Sequence, residues 1–311
     1  MSYPSVKPRL TFKSMCGLLL RSVFHFCRDT LILVRNWLKG KPKHYLCLTA
    51  LVKNEAPYIR EWIEYHRMVG VEKFFIFDNE SEDHLEAVLE PYVRAGLVVL
   101  MQWPGQAQQL AIYNYALRKF GHETHWMGVI DVDEFLYPVA GDSIAGIMKE
   151  CETCSGIVAN WYMFDSSGHK TKPPGLVVES YRHRQLLHHR LVKTIFRPAY
   201  FSHFFNPHTP RMIFGRFVLN QSREPQFTPH NYNFSNEQFC IFHYWTKSRD
   251  EFVAKIERGT SIGEARNFEQ DKHMLVFDRF EVEMGMDRFI PELKRRLGRH
   301  CVAVESKQVG M

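Results

Sequence analysis

The sequence predicts an α/β fold built on a mostly parallel sheet, with a mixed extension and a helical segment in front. Three observations point there. Short apolar runs alternate with amphipathic stretches from Tyr45 to about residue 130. The links between them are brief. Polar clusters recur where the apolar runs end. Such alternation with short connections gives parallel strands joined by right-handed crossovers.

The elements follow in order. "YLCLTALV" reads as a buried strand. In "PYIREWIEYHRMVG", Pro57 suits a first helical turn, Ile59, Ile63 and Met68 share a face, and Gly70 marks the stop. "EKFFIFDN" is a second strand and "DHLEAVLEPYVRAG" a second helix, capped by Asp83 and ended by Gly96. "LVVLMQW", "QAQQLAIYNYALRKFG" and "HWMGVID" continue as strand, helix and strand. Beyond residue 155, "GIVANWYMF", "GLVVESY", "LVKTIFRP", "MIFGRFVLN" and "QFCIFHYW" read as strands of an antiparallel or mixed extension. In "KSRDEFVAKIERG", Ser248 and Glu251 form a capping box and Gly259 ends the helix. A last helix is expected near Phe289–Leu297.

Composition bounds the rest. The chain has 311 residues, 45% hydrophobic and 14% aromatic, enough for a large core and unlike a disordered chain. The net charge of +6 suits an anionic small molecule, a membrane surface or nucleic acid without choosing among them. Basic stretches are short, and no RNA-binding motif or zinc array occurs, so nucleic acid is not the expected partner. Cys151 and Cys154 make a lone CxxC, read as reduced thiols of a cytosolic protein. Residues 1–44 form an apolar leader interrupted by Arg21, His25, Arg28, Asp29 and Arg35. No run reaches the roughly 20 apolar residues of a spanning helix. Residues 10–40 suit an amphipathic helix on a membrane surface, or one packed on the main domain. The expected location is the cytoplasm, with a peripheral seat on the inner face of the membrane.

In open parallel sheets, ligands bind beyond the carboxyl ends of the strands. Lys53-Asn54-Glu55, Asp78-Asn79, Trp103 and Asp131-Val132-Asp133 all fall there. Carboxylates at i and i+2 on an extended segment point the same way, so Asp131 and Asp133 can share a hard divalent cation, magnesium or manganese. Such a cation neutralises a departing diphosphate. A plain exposed turn explains the same spacing. Glu134 heads the other way.

"LTALVKNEAPYIREWIEYHRMVGVEKFFIFDNESED", "QWPGQAQQLAIYNYALRKF", "HWMGVIDVDEFLYP", "NWYMFDSSGH", "KTIFRP", "NPH" and "FHYWTKSRDEFVAKIERG" carry a resemblance to the glycosyltransferase family 92 type, a GT-A-fold group related to family 2. The resemblance covers Tyr45 to about Gly259. It implies a sugar-nucleotide half at 45–140, an acceptor half at 141–311, a UDP-sugar donor, a divalent metal and inversion at the anomeric carbon. By motif, Asp131 and Asp133 are the DxD pair, His243 the late metal ligand, and Glu55 and Asp78 the groups facing base and ribose. Asn79, Ser81 and Gln108 are further donor-site candidates.

Lys193 and Arg197 are candidates to pair with the diphosphate. The general base is sought among Glu134, Asp165 and Glu237, with Glu134 preferred; Asp165 stands where the family pattern has a small residue. His208 of "NPH" and the rings of Trp103, Trp161 and Trp245 are candidates to line the cleft. "HRQLLHHR" is basic and suits an anionic acceptor or a solvated loop. The function expected is a metal-dependent inverting transfer of a hexose to a glycan or glycolipid. The alternative is a non-catalytic glycan- or nucleotide-binding protein on a degenerate transferase fold at the membrane.

Overall fold

The computed structural model describes residues 23–24, 26–34, 38, 40–233, 235–259, 267–278, 280–282 and 285–298. Its strands are β1 (His44–Val52), β2 (Lys73–Asp78), β3 (Val98–Gln102), β4 (Thr124–Val129), β5 (Glu134–Pro138), β6 (Gly156–Met163), β7 (His183–Gln185), β8 (His189–Phe196), β9 (Phe201–Phe204), β10 (Pro210–Met212), β11 (Phe239–His243) and β12 (Phe280–Val282). The helices used below are α1 (Ala56–Met68), α2 (Leu85–Arg94), α3 (Gln109–Phe120), α4 (Ile144–Lys149), α5 (Val177–Ser180) and α6 (Arg249–Arg258).

Eight strands form one sheet in the order β3-β2-β1-β4-β8-β6-β11-β5. β3, β2, β1 and β4 are parallel, as their alternation with helices predicted. β8 runs antiparallel between β4 and β6, β11 is parallel to β6, and β5 closes the far edge antiparallel to β11. This is the mixed extension expected of a GT-A-like sheet. Strands covered on both faces read as continuous apolar runs. In β1, Leu46, Leu48 and Ala50 join one core with Trp62 of α1 and Leu89 of α2, while Cys47 joins the other with Ile112 and Tyr113 of α3.

α1 also sews down the far edge. Trp62 Nε1 donates to the Glu134 carbonyl at 2.9 Å and Tyr65 Oη to that of Leu136 at 3.0 Å. His66 Nε2 accepts the Leu136 N–H at 3.1 Å while Nδ1 meets the Trp62 carbonyl at 2.8 Å. Burial pushes this imidazole down to about 3, so it stays neutral and bridges both. An edge strand tied this way offers no free ladder. Gly70 stands just past α1 at φ +102°, and a Cβ there would lie 2.5 Å from that of Ala145. Only glycine meets both demands.

Two strand expectations need correction. "GLVVESY" contains α5 instead, because the Glu61 carboxylate accepts the N–H groups of Val177 and Val178 at 2.8 and 3.0 Å and starts a helical turn. "MIFGRFVLN" is mostly turn, with only Met212 inside β10 and Gly215 at φ +75°. β5 and α4 were not anticipated. The α6 capping box forms as expected, and residues 290–298 are the last helix.

Residues 26–34 are helical, with Phe26 and Leu31 exposed and the Asp29 carboxylate accepting the Phe214 N–H at 2.8 Å. Among the described residues no helix is long and apolar enough to cross a membrane. Of the expected membrane-contact stretch, residues 10–22, 25, 35–37 and 39 lie outside the described residues. Cys151 and Cys154 are buried free thiols, with Arg223 donating to the Cys154 sulfur at 2.6 Å.

Candidate active site

The parallel strands β1, β2, β4, β6 and β11 all end on one rim, and their last residues carry the polar clusters. Asn54, at φ +58°, turns the chain after β1; its N–H donates to Ser81 Oγ at 2.9 Å and its side-chain oxygen accepts from Glu82 N–H at 2.8 Å. Glu55 then faces Lys247 and Arg258, each at 3.5 Å. Asp78 accepts from the Ser81 N–H at 3.0 Å and from Gln102 Nε2 at 3.1 Å. Asn79 Nδ2 donates to the Trp103 and Gly105 carbonyls at 2.8 and 2.7 Å. Gln108 accepts from Trp103 Nε1 at 3.4 Å. Glu55, Asp78, Asn79 and Gln108 therefore all stand at or past the strand ends, and each holds a loop in shape.

The acidic stretch is not extended. Glu134 N–H donates to the Asp131 carbonyl at 3.0 Å, closing a turn between β4 and β5. Asp131 and Asp133 therefore do not point the same way, contrary to what alternation along a strand predicts: the turn sends them to different partners. Asp131 Oδ2 pairs with Lys193 Nζ at 3.0 Å. Asp133 accepts a hydrogen bond from Lys255 Nζ, and its other oxygen lies 3.5 Å from His243 Nε2. Glu134 is fully buried; its Oε2 accepts the Asp131 N–H at 3.0 Å and sits 3.6 Å from Lys193 Nζ.

The electrostatics follow from burial. It raises the Asp133 carboxyl, but Lys255, His243 and Lys247 outweigh it and hold the group well below the usual carboxylate range. Burial keeps Glu134 well above its ordinary value against the pull of Lys193. Burial works against the Lys193 ammonium, yet Asp131 and Glu134 raise it, so it stays charged. Burial lowers His243 against Asp133, leaving a neutral imidazole whose Nδ1 is buried without a hydrogen-bond partner.

These residues fit a divalent cation at one corner. Ligand atoms about 2.1 Å from one ion sit roughly 3 Å apart. The Asp133 and His243 atoms at 3.5 Å have that spacing, and the neutral ring offers a lone pair. Among the described residues no three acids, histidines or cysteines converge at metal-holding distance. Lys255 instead occupies Asp133, and Lys193 occupies Asp131.

Several expected residues land elsewhere. Arg197 does not reach the site. The register pairs Phe196 with Met127 and with Gly156, the first residue of β6, so Arg197 lies toward the opposite edge, donating to the Glu152 carbonyl at 2.8 Å beside Trp126. Asp165 caps a loop, accepting from the Ser167 and Phe277 N–H groups at 2.7 and 3.1 Å. Glu134, sealed from solvent, cannot take an acceptor's proton and serves to brace the turn and Lys193. His208 lies under the site, its Nδ1 2.9 Å from the Val192 carbonyl, and burial lowers it to about 4. Trp161 packs its edge against His243, the centroids 4.5 Å apart.

Sequence reading missed Lys255. α6 places it: Glu251 accepts from Tyr58, from Tyr181 at 2.8 Å and from the Ser248 N–H at 3.1 Å, fixing the helix one turn before Lys255. The only signal was a lysine four residues past Glu251.

Residues 43–277 match the model of glycosyltransferase family 92. The chain belongs to that family. Among its relatives, a glycosyltransferase family 92 protein of Ricinus communis is 33% identical over 52% of this chain and 30% of the relative. Another of the same family from Arabidopsis thaliana is 38% identical over 32% of this chain and 17% of the relative. Galactan beta-1,4-galactosyltransferase GALS3 of Arabidopsis thaliana is 33% identical over 38% of this chain and 26% of that protein. The matches thus take in under a third of each relative's length.

Proposed function

We propose that this family 92 chain is an inverting, metal-dependent glycosyltransferase that moves a hexose from a UDP-sugar to a glycan or glycolipid. The observation that carries the reading is Asp133 set 3.5 Å from the Nε2 of His243 at the sheet rim, with Asp131 two residues away in the same turn. The Arabidopsis relative named as a galactosyltransferase supports the hexose. Asp131, Asp133 and His243 are the residues that would hold manganese or magnesium, which when bound supplies positive charge against the leaving diphosphate.

The chain's own residues do the rest. Glu55 and Asp78 face the nucleoside from the ends of β1 and β2. Lys193, charged and buried, fixes Asp131. In the transfer, an acceptor hydroxyl oxygen bonds to the anomeric carbon from the face opposite the diphosphate. The bond from that carbon to the diphosphate oxygen breaks, the electron pair leaves with UDP, and the hydroxyl proton passes to a base on the acceptor side. Exposed Phe26 and Leu31 of the leading helix support a peripheral seat on the cytoplasmic face of a membrane.

The test is turnover of a panel of UDP- and GDP-sugars with manganese, in the wild type and in Asp133→Asn. The expected result is transfer from a UDP-sugar and a loss of at least about a hundredfold in the variant. Wild-type turnover in the folded variant would refute the assignment.

A further inference from the structure

A groove of about 660 Å³ is lined by Gln185–Arg190, His230 and Tyr232. It lies at the amino end of β8, and β8 runs antiparallel to β4 and β6, so the groove opens on the rim that carries Asp131 and His243. One ring separates it from His243: Trp161 stacks on His189 at 5.8 Å and meets His243 edge-on at 4.5 Å. The groove is also built. Buried Asn160 donates to the His189 carbonyl at 3.0 Å and accepts from Asn231 Nδ2 at 2.8 Å, while the Asn231 N–H donates to the Arg190 carbonyl at 2.8 Å. Both walls therefore hang on one buried amide pair. Arg184 stacks on Tyr162 at 4.2 Å and donates to the Gln185 carbonyl at 2.9 Å, shaping the outer loop.

Among the described residues that line it, Arg190 supplies a positive charge, three are histidines and none is a carboxylate. Arg190 stacks over exposed Tyr232 at 5.0 Å, joining a flat ring to a guanidinium fork. A ring covers the apolar face of a sugar, and the fork takes a carboxylate or phosphate in two parallel hydrogen bonds.

We propose that this groove is the acceptor subsite and that it selects an acidic saccharide, one bearing a carboxylate or phosphate, seated by Arg190 and Tyr232. The inference rests on the transferase reading for the word acceptor. The groove's preference for anions stands on its own lining.

The test titrates the full chain with trigalacturonic acid and with neutral β-1,4-galactotriose at low and physiological salt. UDP with manganese is titrated in parallel. The wild type is expected to bind the acidic trisaccharide at least about tenfold more tightly, with the difference shrinking as salt rises. Arg190→Gln should erase the preference, and Tyr232→Ala should weaken both sugars, with UDP affinity unchanged in each. Equal affinity for the two sugars in the wild type, or a preference that survives Arg190→Gln, overturns the proposal. A wild type that fails to bind UDP overturns the transferase reading instead, and the saccharide titration still decides the groove's selectivity.

Discussion

Lys255 donates from α6 to Asp133 in the turn after β4, and so places an ammonium on the carboxylate expected to hold a metal. The same ammonium donates to the Trp245 carbonyl at 3.0 Å and lies 5.4 Å from that residue's ring. A divalent ion at Asp133 must compete with this internal cation. Lys255→Met removes the competitor and keeps the aliphatic stem. The expected outcome is manganese affinity rising about tenfold, roughly 1.4 kcal/mol, read by calorimetry or by the spin resonance of free manganese. Affinity that falls in this variant would mean that Lys255 assists the ion.

Asp83 joins two helices that the sequence treats separately. Its Oδ1 accepts the Leu85 N–H at 3.1 Å, at the start of α2, and its Oδ2 accepts the Ala56 N–H at 2.9 Å, at the start of α1. One carboxylate thus serves two helix starts, and α1 leads from the Glu55 rim. Asp83→Ala is expected to cost more than an ordinary cap, about 2 kcal/mol, in urea unfolding. Asp83→Asn should recover most of it, because the amide oxygen still accepts one of the two N–H groups.

What could be read from the sequence was local, and what could not was long-range. β1, β2 and β4 are mostly apolar because both faces are covered, so run length and spacing revealed them. Ser248 and Glu251 revealed the start of α6 because a capping box closes within four residues. The pairing of Lys255 with Asp133 spans 122 residues, and nothing near either residue announces it. Glu61 turned "GLVVESY" into a helix from 116 residues away, overriding the β preference of Val177 and Val178. Arg197 was misplaced because only the β4–β8 register, absent from any local pattern, tells which end of a strand meets which edge. The acidic cluster was seen, but its geometry was not: alternation assumes an extended chain, and Glu134 N–H closes a turn instead.

Lys193 is wholly inside the protein, with Asp131 and Glu134 sharing its charge. Burial favours the proton on Glu134 while Asp131 stands, and loss of Asp131 would let Lys193 draw Glu134 into its charged form, so Asp131→Asn and Glu134→Gln should each be modest. Together they leave a buried cation uncompensated. The double variant is expected to lose about 3 kcal/mol beyond the sum of the singles in urea unfolding. Restoring stability by adding Lys193→Met to the double variant would identify the buried charge as the cause. Additive losses would show that the two acids act separately.

Glu61 gives a stability slope with a definite sign. Burial pushes it up to about 7 from 4.5, against the Val177 and Val178 N–H groups that favour its charged form. The folded carboxyl therefore holds its proton more tightly than the unfolded one. Below pH 4.5 both states are protonated and this group's contribution to stability is full. Between pH 4.5 and 7 the unfolded state ionises first and that contribution is lost, amounting to about 3 kcal/mol. His66 slopes the other way, because its folded value of about 3 lies below the ordinary 6.5, so it costs stability as the solution is acidified through that interval. The wild-type profile mixes the two. In Glu61→Gln only the acid-side loss of His66 should remain of this pair, and the variant should gain on the wild type between pH 5 and 7.5. Its offset at pH 5 should be negative, since the amide nitrogen faces one of the two donors that the carboxylate accepted. Urea midpoints of both proteins across that range test this, and parallel profiles would show that Glu61 stays ionised within the fold.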